Sequence, residues 1–192
     1  MSTRSALAYK TKEGWEGVYC HWDGYPTNRG KQIWEILMQK FVLNKGKIGV
    51  SNDGSTALQS FVDVYIKGHK GGWSVFPDEC YCHSPEFMMR DGVHDNWETD
   101  KTVNALFIEW VYVIDIENKK LFIYTGARAE GEHEEKASNG RKWKSPNYQH
   151  YLVCEIEINP DAKEPNWDFV EATGAKISNE MYKKYKEEVK HA

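Results

Sequence analysis

Three features of the 192-residue sequence predict an α+β domain with a mainly antiparallel sheet flanked by two or three helices. Two pairs of alternating segments are each joined by a short polar turn, the signature of β-hairpins. Two later stretches repeat apolar residues at helical spacing. The hairpins and the remaining strands are interrupted by these helices, which argues for segregated α and β elements. The length suits one domain over residues 1–192, with enough chain to bury a core without staples.

The first strand is expected over Arg4 to Lys10, with Leu7 and Tyr9 on one side and Ala6 and Ala8 on the other. Thr11-Lys12-Glu13-Gly14 turns the chain into a second strand, Trp15 to His21, rich in aromatic and branched residues. Asp23-Gly24 is a turn pair, Gly24 accepting positive φ, and Pro26 holds Tyr25 extended. Thr27 or Asn28 then caps a helix over Gly30 to Leu43. A second helix is expected over Thr56 to His69, with Leu58, Phe61, Val62, Tyr65 and Ile66 on one face. Gly72 to Phe76 reads as a short strand, and Asp78 to Asp100 as irregular. Leu106 to Ile116, apolar on both faces, is the expected central strand, with Leu106, Ile108, Trp110, Tyr112, Ile114 and Ile116 sharing one face. It turns at Glu117-Asn118-Lys119 into Lys120 to Thr125. Gly126 to Asn147 is so charged and glycine-containing that a mobile or recognition loop is expected. Tyr151 to Ile158 returns as a strand with Leu152, Cys154, Ile156 and Ile158 inward. Pro160 to Pro165 is a linker, and Ser178 is expected to cap a last helix reaching residue 190.

The formal net charge of −4 leaves no footprint for duplex nucleic acid and no polybasic membrane patch. No apolar run is long enough to span a bilayer, and Met1 to Lys10 has no signal-peptide core, so a cytoplasmic protein is expected. Its four cysteines are then thiols or metal ligands rather than bridges. Aromatic residues make up 14 % of the chain, including eight Trp, in a sequence of mean hydropathy −0.72. Those rings supply much of the core and leave some to line a binding surface.

The functional candidates gather around His21-Trp22-Asp23-Gly24-Tyr25-Pro26, a strand-to-helix corner. No standard catalytic or cofactor fingerprint appears there or elsewhere. Hairpin register brings Arg4 to the same end, and Arg4, His21, Asp23 and Tyr25 form a candidate ligand site. Arg4 would hold an anion through its guanidinium fork, and His21, oriented by Asp23, would act as acid or base near neutral pH. The plainer alternative is that Asp23 bonds the turn backbone and Arg4 pairs with it. Cys80-Tyr81-Cys82-His83 with His94 offers zinc's preferred ligand types, although a single residue between the thiols strains a shared tetrahedral site, and no metal is favoured. Glu109 and Asp115 lie about 20 Å apart along a strand, too far for joint acid–base work. Trp73, Tyr81 and Trp97 could stack on a planar ligand, or simply pack beneath loops. The runs Glu130 to Lys136 and Lys183 to Lys190 read as solvated surface.

Ser2-Thr3-Arg4-Ser5, followed by Tyr19-Cys20 and the hexapeptide His21 to Pro26 and then Gly30, resembles a family of small bacteriophage and prophage proteins. The resemblance covers about the first quarter of the chain. It implies a phage-encoded accessory protein acting in the host cytoplasm by binding, including interference with host defence. The expected target is a small anionic or nucleotide-like molecule, or a host defence protein. The opening strand, Lys-Glu-Gly turn and returning strand are also similar in layout to N-terminal-nucleophile hydrolases, in which Ser2 would be the nucleophile. The enzymatic alternative is thus a hydrolase using Ser2, or His21 and Asp23 as an acid–base pair; a shared layout does not carry function.

Overall fold

The computed structural model describes residues 3–20, 23–44, 55–69 and 97–191. The chain is α+β, built on one six-stranded sheet of order β3-β2-β1-β4-β5-β6. Strands β1 (Ser5–Thr11) and β2 (Gly14–Cys20) form the expected hairpin, with Ser5 opposite Cys20 and Thr11 opposite Gly14. Strand β3 (Trp97–Thr99) adds to the outer side of β2. Strands β4 (Trp110–Asp115), β5 (Lys120–Lys136) and β6 (Lys142–Glu157) form an antiparallel meander. The two halves join through β1 and β4, the one parallel pair, which puts β1 and β4 at the centre.

Helices α1 (Lys31–Asn44), α2 (Ser55–Tyr65) and α3 (Trp167–His191) contribute to a single apolar core on one face of the sheet. Ile33, Trp34 and Leu37 of α1, Phe61 and Val62 of α2, and Trp167 and Val170 of α3 meet Leu7, Val18, Tyr112, Ile114 and Ile123. The opposite face carries a smaller cluster of Ala6, Ala8, Ile108, Val111 and Val113. The alternation expected for β1, Leu7 one way and its alanines the other, is therefore observed.

Several boundaries differ from expectation, each for a local reason. The first helix begins not at Gly30 but with a π-helical turn over Pro26–Gly30 that continues into α1. Proline opens this turn and no side chain caps it; Thr27 instead donates its N–H and Oγ1 to Glu171 of α3, at 3.2 and 2.7 Å. The central strand starts at Trp110 rather than Leu106. Asn104 accepts from Leu106 N through Oδ1 (2.9 Å) and from Phe107 and Ile108 N through its carbonyl, so residues 104–108 wind into a turn. Ile108 thereby joins the small cluster, away from Trp110.

Gly126 to Asn147, expected as a mobile loop, is instead strand to Lys136 and strand again from Lys142. The turn between them closes through Ala137 N to Arg141 O (2.8 Å), with Gly140 at φ +85°. The charges of Glu130 to Lys136 are largely exposed, as expected, and some pair along the ribbon, as Lys142 does with Glu134 at 2.6 Å. In β6, Leu152 faces outward rather than inward. Ile123 pairs with Cys154 but Tyr124 with Leu152, so Val153 is an extra bulged residue that shifts the alternation by one. Finally, α3 begins at Trp167, not after Ser178, because Asn166 caps it: Phe169 N donates to Asn166 Oδ1 at 3.1 Å.

Candidate functional site

The corner singled out in the sequence is only partly described, since Ser2, His21 and Trp22 lie outside the described residues. Its backbone geometry is close to expectation. Gly24 N donates to Thr3 O at 2.8 Å, which ties the end of the hairpin to its beginning. Gly24 is needed for that approach, as a Cβ there would sit 2.7 Å from Ser5 Cβ and 2.8 Å from Arg4 C. The left-handed residue of the turn is Asp23 (φ +48°) rather than Gly24. The side chains divide. Tyr25 donates its hydroxyl to Asp23 Oδ1 at 3.2 Å, which raises the phenol's pKa, and Tyr25 packs against the helix-side core. Arg4 alternates with Ala6 and Ala8, and its guanidinium lies over the Phe107 ring, 5.9 Å from the centroid, towards the opposite face. The corner thus brings Asp23 and Tyr25 together and turns Arg4 elsewhere.

The metal candidates Cys80, Cys82, His83 and His94, and the stacking candidates Trp73 and Tyr81, lie outside the described residues. Among the described residues no group of three or more His, Cys, Asp and Glu gathers as a metal site. Burial pushes the Cys154 thiol up to about 11, which leaves it a poor nucleophile. No helix among the described residues is long and apolar enough to cross a membrane.

A hollow that sequence reasoning missed lies on the face opposite the main core, where no helix among the described residues packs. The same face carries small residues, Ala6 and Ala8 of β1, Gly17 of β2 beside Ala8, and Gly126 of β5, while Gly14, Ala105 and Val113 line the hollow itself. Residues 100–108 cross above it, and two glycines permit the close approach. A Cβ on Gly14 would collide with the Asp100 carboxylate, and one on Gly126 with the Ala105 carbonyl. Between strap and strands lies a cavity of about 540 Å³, walled by Trp15, Phe122, Tyr124 and Tyr148 with Lys10 and His150 at its polar edge. That volume falls within the usual range of small-molecule sites.

The polar groups of the cavity have defined states. Lys10 Nζ donates to Asp115 Oδ2 at 2.7 Å and stands 5.6 Å from the Phe122 centroid, while half its side chain remains exposed. Asp115 is buried, which pushes its pKa up, but hydrogen bonds from Asn118 and Lys10 outweigh burial and hold it below the usual carboxylate value. His150 Nε2 lies 2.7 Å from the Ile108 carbonyl. A carbonyl can only accept, so Nε2 carries the proton and Nδ1 is left as an acceptor. Burial lowers the pKa of His150, partly offset by this hydrogen bond, which favours the neutral ring. The sequence signal was present but faint. Trp15, Phe122 and Tyr124 alternate outward on strands whose other residues are core, and three large rings on one face leave space between them.

No family model, curated protein or solved structure matches the chain.

Proposed function

We propose that this protein works by binding a small, planar, anionic ligand of the nucleotide class in the aromatic hollow on the sheet face opposite the main core. The observation that carries the reading is the combination inside one cavity. Four aromatic side chains offer stacking surfaces, a partly exposed ammonium stands at the rim, and a neutral imidazole presents a lone pair. Aromatic walls accept any base by stacking, a cation favours a phosphate, and an acceptor nitrogen selects for a ring amino group or hydroxyl. The resemblance of the opening segment to phage proteins supplies the setting: an accessory protein that sequesters a signalling nucleotide, as interference with host defence requires. Relative to the sequence expectation, the kind of ligand is kept and its place moves from the corner to the hollow.

Calorimetric titration with the ribonucleoside 5′-monophosphates tests the reading. At least one is expected to bind, and Tyr148→Ala is expected to weaken it by about 1–3 kcal/mol, the usual value of one stacked base. Asp23→Ala should leave it unchanged. Loss of binding in Asp23→Ala, with Tyr148→Ala silent, would return the site to the corner; no binding by any of the four would refute the proposal.

A further inference from the structure

We infer that the hollow is one half of a two-lobed site and that its ligand is a dinucleotide. This rests on the reading above and extends it. A second cavity, of about 610 Å³, adjoins the first on the same face, and Val103, Ala105 and Tyr148 line both. Tyr148 is therefore a partition with a ring face available to either lobe.

Each lobe is lined by an aromatic ring that a cation stands over. In the first, Lys10 lines the cavity and its ammonium stands over Phe122; in the second, Phe107 lines the cavity and the Arg4 guanidinium, from outside the lining residues, stands over its ring. Each lobe so offers an aromatic surface for a base with a cation beside it for a phosphate. Phe107 and Leu106 are 54 % and 49 % exposed at the mouth of the second lobe, although both are large and apolar. They are held there by the turn on Asn104, which takes Leu106 N and then Phe107 N. A built turn that presents apolar side chains to solvent beside a cavity marks a contact surface. The far wall is ordered as well: His133 is held between Asn147 Oδ1 (3.0 Å) and Glu135 Oε1 (3.1 Å), and Asn147 Nδ2 is anchored on the Glu130 carbonyl at 2.9 Å. Arg4, placed at the corner by sequence reasoning, takes its part here instead.

Two joined half-ligands gain affinity because the second binds intramolecularly once the first is seated. The test compares ribonucleoside 5′-monophosphates with the matching 5′-phosphorylated linear dinucleotides by calorimetry, on the wild-type chain and on Phe107→Ala. Phe107 is exposed, so its truncation leaves the core intact. The dinucleotide should bind at least about tenfold more tightly than the mononucleotide, with one dinucleotide per chain. Phe107→Ala should erase about fivefold or more of that advantage and leave mononucleotide affinity within about twofold. Equal affinities with Phe107→Ala silent would overturn the two-lobed site while leaving the first cavity as a mononucleotide site. Failure of both ligands to bind would overturn the cavity reading itself, and this inference with it.

Discussion

Gly174→Ala is expected to destabilise the protein, although alanine is the better helix former. Gly174 sits in the interior of α3, where exchange for alanine normally gains about 1 kcal/mol. Here the helix rides directly on the sheet. A Cβ at position 174 would lie 2.9 Å from Trp110 Cζ3 and 3.1 Å from Cζ2, and closer still to Cη2. Carbon atoms pack at about 3.5–4.0 Å, so the ring must retreat by more than about 0.4 Å at its second-nearest atoms and by more at the nearest. Trp110 is only 6 % exposed and belongs to the main core, between β1 and β5, so it has little room to move. Overpacking of this kind costs about 1–3 kcal/mol, more at its upper end than the helix gain. The net loss should be about 0–2 kcal/mol, seen as a fall in Tm of up to about 8 °C for a chain of this size. Ala172→Gly, at an exposed position of the same helix, is the control and should lose about 1 kcal/mol through propensity alone. Thermal unfolding followed by circular dichroism reads both. A rise in Tm for Gly174→Ala would mean that α3 does not pass over Trp110 and that the helix-side core is wrongly described.

Two further perturbations follow from the polar groups at the hollow. Asp115→Asn removes a buried carboxylate that accepts from Lys10 Nζ (2.7 Å), Asn118 N (2.9 Å) and Asn118 Nδ2 (2.8 Å). Urea unfolding should show a loss of about 1–3 kcal/mol, and an unchanged midpoint would refute the assigned turn. The depressed pKa of His150 makes folding prefer the neutral ring, so its contribution is full above the unfolded value of about 6.5 and declines as pH falls below it. Tm should therefore drop on acidification from about pH 6.5, in a window above the carboxylates. The drop should be shallower in His150→Gln; an identical slope would show that His150 is not buried against Ile108.

The elements legible in the sequence were those decided by neighbours along the chain. The first hairpin follows from alternation around Lys12-Glu13, and α2 follows from Leu58, Phe61 and Val62 at helical spacing. The departures share a different cause, a partner distant in sequence or a single hydrogen bond that overrides pattern. Leu106 to Ile108 alternate like strand residues, yet Asn104 captures their amides and winds them into a turn. Residues 126–147 are too polar to bury, but a β-ribbon need not be buried when its backbone pairs across the strands, with charges such as Glu134 and Lys142 meeting there as well. Gly174 reads as a helix breaker in isolation, and only Trp110 explains its place inside α3.

The same reasoning explains why the hollow was harder to read than the corner. A corner announces itself through adjacent residues such as Asp23, Gly24 and Pro26. A hollow is defined by what is small and by what crosses above it, and those residues are scattered. Ala6, Ala8, Gly17 and Gly126 belong to three strands, and the strap comes from residues 100–108. Each glycine alone would suggest only weak strand propensity. Together they do two different things. Gly14 and Gly126 let the strap descend onto the strands, while Gly14, Ala105 and Val113 line the space between the rings. Branched side chains fill part of this face, Ile108, Val111 and Val113 among them, as Leu7, Ile114 and Ile123 fill the other, but none closes the hollow. Instead the large rings Trp15, Phe122, Tyr124 and Tyr148 stand around the space rather than in it. A hollow walled by rings beside the smaller cluster, on the face opposite the main core, is the physical reason for the proposed binding site.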